Sequence, residues 1–540
     1  MTNNDSRLIK RLKTHLDETN DKLDECKIKL DKKFKQTLNF GYPLDSELLE
    51  KIDEISIQDD DDEYKLFQYI DTVKEIWKLA IEKSIKCLRF FDLREPFLSN
   101  DSKHPVAYGV DDLEAYFEKY IEFEKMLYGG GKYYRDHVIH VFRVWLLGLD
   151  LLLANNAEYL KKITVQHNAE TNLFEKLSVW TMIALTHDLG YPLEKSQEII
   201  EKTKDMMKSF VSNPTITLNT SFDGIQNNMN DYILRFISSK MHPYKNDKVK
   251  QPSEDISMTN LISGNYNGNI SYKDSQNDNK SRRPCEYVAR LQPKFYFKFQ
   301  KSLEKYKHGI LSSIIIYKIL LYFLESDFSI NEDYRFEEED VRQYYIRREI
   351  LRTISAHTCS DIYHLDMLTF AFLLIMVDDI QDWGRKTISD LYVNKNERYD
   401  LKGAEPEFNI STIKHEGKEI DIHKFTVKDY IEYGTDDIKT IKDTLDRLKD
   451  QSYNYERIFR DGQDTAKRNF SFEKRTEILY RNKGKESVNI MVIMQISNNA
   501  SPVFDIGAEA KEPGIEDKLK EYSVQKLCEI KMKYNNVENT

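Results

Sequence analysis

The chain has 540 residues, 40% hydrophobic and 32% charged, a globular composition that excludes a disordered or collagen-like polymer and a length too great for one ordinary domain. A formal net charge of -11 argues against a broad basic surface tracking a nucleic-acid backbone. The five cysteines (Cys26, Cys87, Cys285, Cys359, Cys528) contain no CxxC pair, which excludes a thiolate zinc ribbon and predicts a reducing, cytoplasmic setting. The first residues lack the apolar core of a signal peptide, and the longest apolar runs, 309–324 and 367–377, are too short to span a membrane.

In chain order, residues 6–36 carry Lys, Asp, Glu and Leu at helical spacing and predict a solvated helix, because the apolar seam is too short for a coiled coil. The run Asp59-Asp60-Asp61-Asp62-Glu63 predicts an exposed helix start, since consecutive carboxylates repel and cannot all face one ion. From about residue 111 the 3.6-residue periodicity predicts helices over 113–127, 136–153, 173–186, 193–211, 303–325, 340–355 and 366–382, with strand-like alternation almost absent. The polar stretch 212–283 predicts a long loop or lid. After about residue 402 strands are expected over 406–414, 419–427, 470–480 and 487–496, with helices over 436–459 and 514–533. The predicted fold is mainly α: a helical extension over 1–100, a helical core over 101–400 and a small C-terminal α+β domain over 401–540.

Histidine is scarce, 12 in 540, yet it concentrates in the most apolar segments. His187-Asp188 closes the run Trp-Thr-Met-Ile-Ala-Leu-Thr, where a charge is costly without a partner. His137 and His140 lie upstream, in Arg-Asp-His-Val-Ile-His-Val-Phe-Arg-Val. Downstream are Lys-His308-Gly-Ile-Leu-Ser-Ser, Ile-Ser-Ala-His357-Thr and Leu-Ile-Met-Val-Asp378-Asp-Ile-Gln381. Any one of these histidines alone reads as an ordinary hydrogen-bonded helix residue; the set, in this order, does not. Imidazoles with carboxylates and no thiolates favour Fe, Mn, Co, Ni or Zn over Ca.

Taken together, these segments resemble the HD-domain superfamily of metal-dependent phosphohydrolases, helical proteins with ligands in the order His … His-Asp … Asp and, in binuclear members, two further histidines before the last aspartate. The resemblance covers roughly residues 100–400 and implies His140, His187, Asp188, His308, His357 and Asp378 as ligands of one or two divalent transition-metal ions, Asp188 bridging, with His187 and Asp188 at the catalytic centre. His140 fits the family's first histidine better than His137, which with Asp136 is assigned a supporting role behind the ligands. Many members carry a phosphate-holding lysine three residues after the dyad; here that residue is Tyr191, with Lys195 a possible substitute. Gln381 and Arg385 share a helical face with Asp378 and are assigned to substrate.

The implied activity is hydrolysis of a phosphoester or phosphoanhydride in a small phosphorylated substrate, with a nucleotide preferred and no membrane partner. The pKa of bound water would be lowered from far above neutral towards about 7. The alternatives are a catalytically quiet, metal-stabilised ligand-binding or signalling module, which the missing lysine keeps open, and a nuclease acting on single strands, which the acidic charge disfavours.

Overall fold

A computed structural model of the chain describes residues 5–35, 37–38, 40–55, 70–92, 106–130, 137–165, 171–209, 225–244, 286–326, 328–331, 333–363, 365–383, 399–415, 418–433, 470–482, 485–497 and 503–510, together with Leu448, Tyr455 and Ile458. The described part is mostly helical with a smaller sheet region. The helices are α1 (Asp5–Phe34), α2 (Ser46–Glu54), α3 (Ile70–Asp92), α4 (Val110–Gly130), α5 (Val138–Lys162), α6 (Leu173–Thr186), α7 (Tyr191–Met207), α8 (Ile225–Ser238), α9 (Pro293–Glu304), α10 (His308–Ile319), α11 (Leu321–Leu324), α12 (Glu338–His357) and α13 (Phe370–Ile380). A two-stranded antiparallel ribbon, β1 (Ser239–Pro243) with β2 (Tyr287–Leu291), lies between α8 and α9.

The centre is α5, buried on every side from Val138 to Leu153. Among the described residues it is the helix long and apolar enough to cross a membrane, but 89% of its apolar window is buried inside the protein. Its straight part ends at Leu153, as the periodicity predicts, because Asn155 and Asn156 take left-handed backbone that asparagine tolerates better than most residues. α6 packs across it at Gly148, where any Cβ would run into the Trp180 ring.

Helix α1 is not the solvated helix its charge pattern predicts. Leu8, Ile9, Leu12, Leu16 and Leu23 form a buried stripe. This seam is too short for a coiled coil, yet it suffices against a helix that is already apolar all round. Ion pairs close its flanks: Arg143 holds Asp5 through two 2.8 Å contacts, while Asp150, 2% exposed, receives Arg11 at 2.6 Å and His15 at 3.1 Å.

Two other expectations are corrected. The helix expected over 303–325 is broken into α9, α10 and α11, because Tyr306 has φ 51 and Lys307 is extended, so that His308 opens a new helix. The stretch 212–283, expected to be loop throughout, contains α8 and β1, whose apolar positions are dispersed among Asn and Lys and so escape a composition-based reading. The acidic run 59–63 and the helix expected over 514–533 lie outside the described residues, as does all but three residues of the one expected over 436–459.

The C-terminal strands are β3 (Tyr399–His415), β4 (Lys418–Tyr433), β5 (Phe470–Asn482), β6 (Lys485–Ser497) and β7 (Val503–Ala510), ordered as numbered. All pairs are antiparallel except β4 with β5, and β7 is a strand the sequence reading missed. The sheet is not a separate core. Phe408 stacks on Tyr159 with ring centres 4.1 Å apart, and Phe372 meets Phe425 edge-on at 5.4 Å. One hydrophobic cluster runs from Leu8 to Ile496.

The Asp150 clamp makes α1 docking testable. The His15 pKa is raised from 6.5, first by its hydrogen bond to Asp150, against the opposing effect of partial burial. A raised folded-state value stabilises fully below the unfolded pKa and loses that contribution as pH rises through the folded one. Stability should therefore fall from mildly acidic towards alkaline pH, and His15→Gln should flatten that slope in denaturant titrations. Asp150→Ala, which leaves the half-buried Arg11 and His15 without their shared partner, should cost about 1–3 kcal/mol and expose α1 to limited proteolysis.

Candidate metal centre

The six residues that the sequence singles out as ligands come from five elements and meet at one place. His140 sits on the first turn of α5, and His187 and Asp188 follow directly on α6. His308 is the first residue of α10, His357 the last of α12, and Asp378 lies in the last turn of α13. Helix ends carry them because a chain leaving a helix can turn a side chain inward while the apolar body of the helix supplies the packing.

The Asp188 carboxylate is the hub. Its Oδ1 lies 3.3 Å from His308 Nε2 and 3.6 Å from the Nε2 atoms of His187 and His357, while its Oδ2 faces His140 Nε2 at 3.9 Å. Asp378 Oδ1 is 2.8 Å from His140 Nε2 and 3.7 Å from His187 Nε2. Two groups have the compactness a cation requires, His140 with His187 and Asp378, and His187 with Asp188 and His357; in each the potential ligand atoms lie within 4.8 Å of one another.

The outer nitrogens of the rings decide what the inner ones can do. His187 Nδ1 donates to the Ala184 carbonyl at 2.7 Å, His357 Nδ1 to the Ile354 carbonyl at 2.5 Å, and His308 Nδ1 to Glu194 Oε2 at 2.7 Å. His140 Nδ1 donates to Gln381 Oε1. With Nδ1 protonated, each neutral ring presents a bare lone pair at Nε2. Those lone pairs point at carboxylate oxygens, an arrangement that is repulsive unless a cation or an extra proton lies between. The Nε2 atoms of His187 and His357 are buried and have no hydrogen-bond partner, an orphan state that buried nitrogens avoid. The donor set therefore fits a divalent transition metal.

The electrostatics agree. Burial alone would drive Asp188 and Asp378 towards the neutral acid, but the surrounding imidazoles outweigh it and hold both carboxyls well below the usual range. Burial works against a charged His187, yet Asp188 and Asp378 raise its pKa to about 9. Burial dominates at His357 and lowers its pKa. The centre is an anionic pocket that demands positive charge.

Close approach of the helices depends on two glycines. A Cβ on Gly190 would lie 2.4 Å from the His308 carbonyl oxygen, and one on Gly309 would lie 2.5 Å from the Ile354 carbonyl oxygen and 2.9 Å from His357 Cε1. Ser312 Oγ stitches the same junction, accepting from Gly190 N at 2.8 Å and lying 2.7 Å from the His187 carbonyl.

The remaining residues that the sequence singles out are placed as follows. Gln381, assigned to substrate, is 1% exposed and has both ends engaged, Oε1 on His140 and Nε2 donating to the Trp383 carbonyl at 2.9 Å. Its amide is thus committed to His140 and the backbone, a placement suited to orienting that ring. His137 is buried beside the centre, where its ring stacks on Tyr191 with ring centres 3.7 Å apart and its backbone N–H donates to Glu124 at 2.6 Å. Lys195 is partly exposed, pairs with Glu198 at 2.9 Å and stands 5.4 Å from the Tyr191 ring centre. Asp136 and Arg385 lie outside the described residues. Glu194 and Glu124 escaped the sequence reading, because their partners are 114 and 13 residues away and no local spacing announces them.

No protein-family model, curated protein or solved structure matches the chain.

If Gln381 orients His140, Gln381→Leu should lower metal affinity about 10- to 100-fold while circular dichroism stays unchanged. Equal metal affinity in the variant would assign the residue to packing alone.

Proposed function

We propose that the protein is a metal-dependent phosphohydrolase acting on a small phosphorylated substrate, of which a nucleotide is the preferred class. The observation that carries this reading is the set of four imidazole Nε2 atoms, with their Nδ1 atoms already engaged, converging on Asp188 and Asp378. His140, His187 and Asp378 would hold one ion, and His308 and His357 a second, with Asp188 offering one oxygen to each side. The chemistry that such ions supply is Lewis-acid stabilisation of charge developing on phosphoryl oxygens and a water acidic enough to react near neutral pH.

The chain's own contribution is rigidity and charge. Glu194 and Gln381 fix the His308 and His140 rings, so little reorganisation is needed when charge develops. Lys195 and Lys307 are cations next to the centre, Lys307 held by Glu194 at 2.8 Å and Lys195 by Glu198 at 2.9 Å; of the two acids, Glu194 is also engaged with His308, so Lys195 has the simpler exchange to make on meeting a phosphate. Tyr191, between the rings of His137 and His308, offers an aromatic surface where the family places a lysine.

Purified protein should contain about one to two equivalents of transition metal, measured by elemental analysis. Replacing His187 and Asp188 by Ala should abolish both metal and turnover across a panel of nucleoside triphosphates, nucleoside monophosphates, cyclic nucleotides and generic phosphodiesters. Helical content should be retained. Turnover by metal-free protein would refute the reading, and full metal occupancy with no turnover across the panel would favour a metal-stabilised binding module.

A further inference from the structure

Among the described residues, the buried Arg143 and Arg347 and the half-buried Arg342 are paired with acids, whereas Arg348 is not. Arg347 reaches Asp92 at 3.1 Å and the Tyr322 carbonyl at 2.6 Å, Arg342 pairs with Glu175, and Arg143 holds Asp5. Arg348, on α12, is 1% exposed, and its Nε, Nη1 and Nη2 atoms all lack a hydrogen-bond partner. It lies 5.4 Å from the Tyr345 ring centre and 5.9 Å from that of Tyr344, and the charge nearest to balancing it is the neighbouring Glu349 carboxylate. A buried guanidinium without a counter-charge costs several kcal/mol, so proteins supply one.

More positive charge gathers around it instead. Arg352, one turn along α12, leaves its Nη1 without a hydrogen-bond partner and sits over the Phe295 ring, its Cζ 3.8 Å from the ring centre. The β1–β2 ribbon is anchored on the same helix, Tyr345 Oη donating to the Met241 carbonyl at 3.2 Å. Lys240 and Arg290 are opposite neighbours in that ribbon and therefore share a face. The Lys240 ammonium is disfavoured first by burial and then by the charges of Arg348 and Arg352. His242, two residues on, is kept neutral by burial, Lys240 and Arg290. The single acid in the group, Glu349, is buried, and none of its oxygens satisfies Arg348.

We infer that Arg348, Arg352, Lys240 and Arg290 form a binding site for a multiply charged phosphate, a di- or triphosphate, separate from the metal centre. Four cations with one nearby carboxylate call for an anion carrying several charges. Arg348 at the buried floor would supply the planar donors and Lys240 with Arg290 the partly exposed rim. The site lies on the back of the helix that carries His357. Arg348 is nine residues before that ligand, roughly 180° around the helix and about 13 Å along it. The inference does not rest on the phosphohydrolase reading, because neither Arg348 nor Lys240 touches the metal ligands.

The test uses the full chain as purified, with inorganic tripolyphosphate as the probe in calorimetric titration and thermal melts. Wild type should bind it and melt higher in its presence. Lys240→Ala and Arg348→Met should each weaken that binding by about tenfold or more, whereas Asp378→Ala, which disables the metal centre, should leave it intact. Without ligand, Arg348→Met should melt above wild type, because it removes an unpaired buried charge. Binding that survives both back-face substitutions, or that vanishes in Asp378→Ala alone, overturns the proposal. So does an Arg348→Met variant that melts below wild type yet binds the probe equally well. Competition by ATP, if seen, supports the same site and extends the ligand class to nucleotides.

Discussion

A buried carboxylate that cannot stay neutral and cannot stay unpaired organises the centre of this protein. Asp188 is enclosed by helix ends and approached by four imidazoles, whose inner nitrogens are left as lone pairs by the bonds their outer nitrogens make. Asp188 itself is buried, so its charge must be balanced locally, and a cation shared among nitrogen and oxygen donors balances it with the least rearrangement. The five elements that meet there can do so only if their backbones come closer than ordinary side chains permit, which accounts for Gly190, Gly309 and the serine bonds between them.

The sheet takes part in this arrangement. Asp379, the neighbour of Asp378, is buried and shares a polar cluster with Tyr455, Lys474 and Asp429, where Lys474 meets Asp429 at 2.8 Å. Burial raises the Asp379 pKa, and the Lys474 charge and the Tyr455 hydroxyl offset part of that effect. The last turn of α13 is thus pinned from the sheet side by residue 379 and from the helix side by residue 378. A ligand on a frayed helix end would be mobile; one whose neighbour is tied to a strand is not. At the opposite end of the helical core, ion pairs of Asp5 and Asp150 tie α1 to the helix that carries His140, as the sheet pins the one that carries Asp378.

Charge on α12 is distributed in two ways that differ in kind. Arg342 and Arg347 complete buried pairs with Glu175 and Asp92 and serve packing. Arg348 and Arg352 share the single neighbouring carboxylate of Glu349 and leave donors unbonded, and the same helix ends in a metal-ligand candidate. One helix thus carries an excess of positive charge on one face and a candidate metal ligand at its end.

The helices α5, α6, α12 and α13 were legible in the sequence because their apolar periodicity is strong, and the ligand candidates were legible because ionisable residues stand out at the ends of such runs. Spacing also showed that His308 belongs to a helix, but not that a left-handed Tyr306 starts a new one there, since that choice comes from how α9 and α10 pack. Roles that depend on residues distant in sequence were out of reach. Gln381 shares a helical face with Asp378, which suggests substrate contact, yet the fold turns its amide onto His140, 241 residues away. Glu194 on His308 and the apolar stripe of α1 on α5 are further cases. By itself the sequence determined which side chains are metal-binding in chemistry and which helices carry them, because both are local properties. The tertiary structure decided which of them face one another, which nitrogen of each ring is left bare, and where a guanidinium is left without a partner, because those depend on distances between segments that no local pattern encodes.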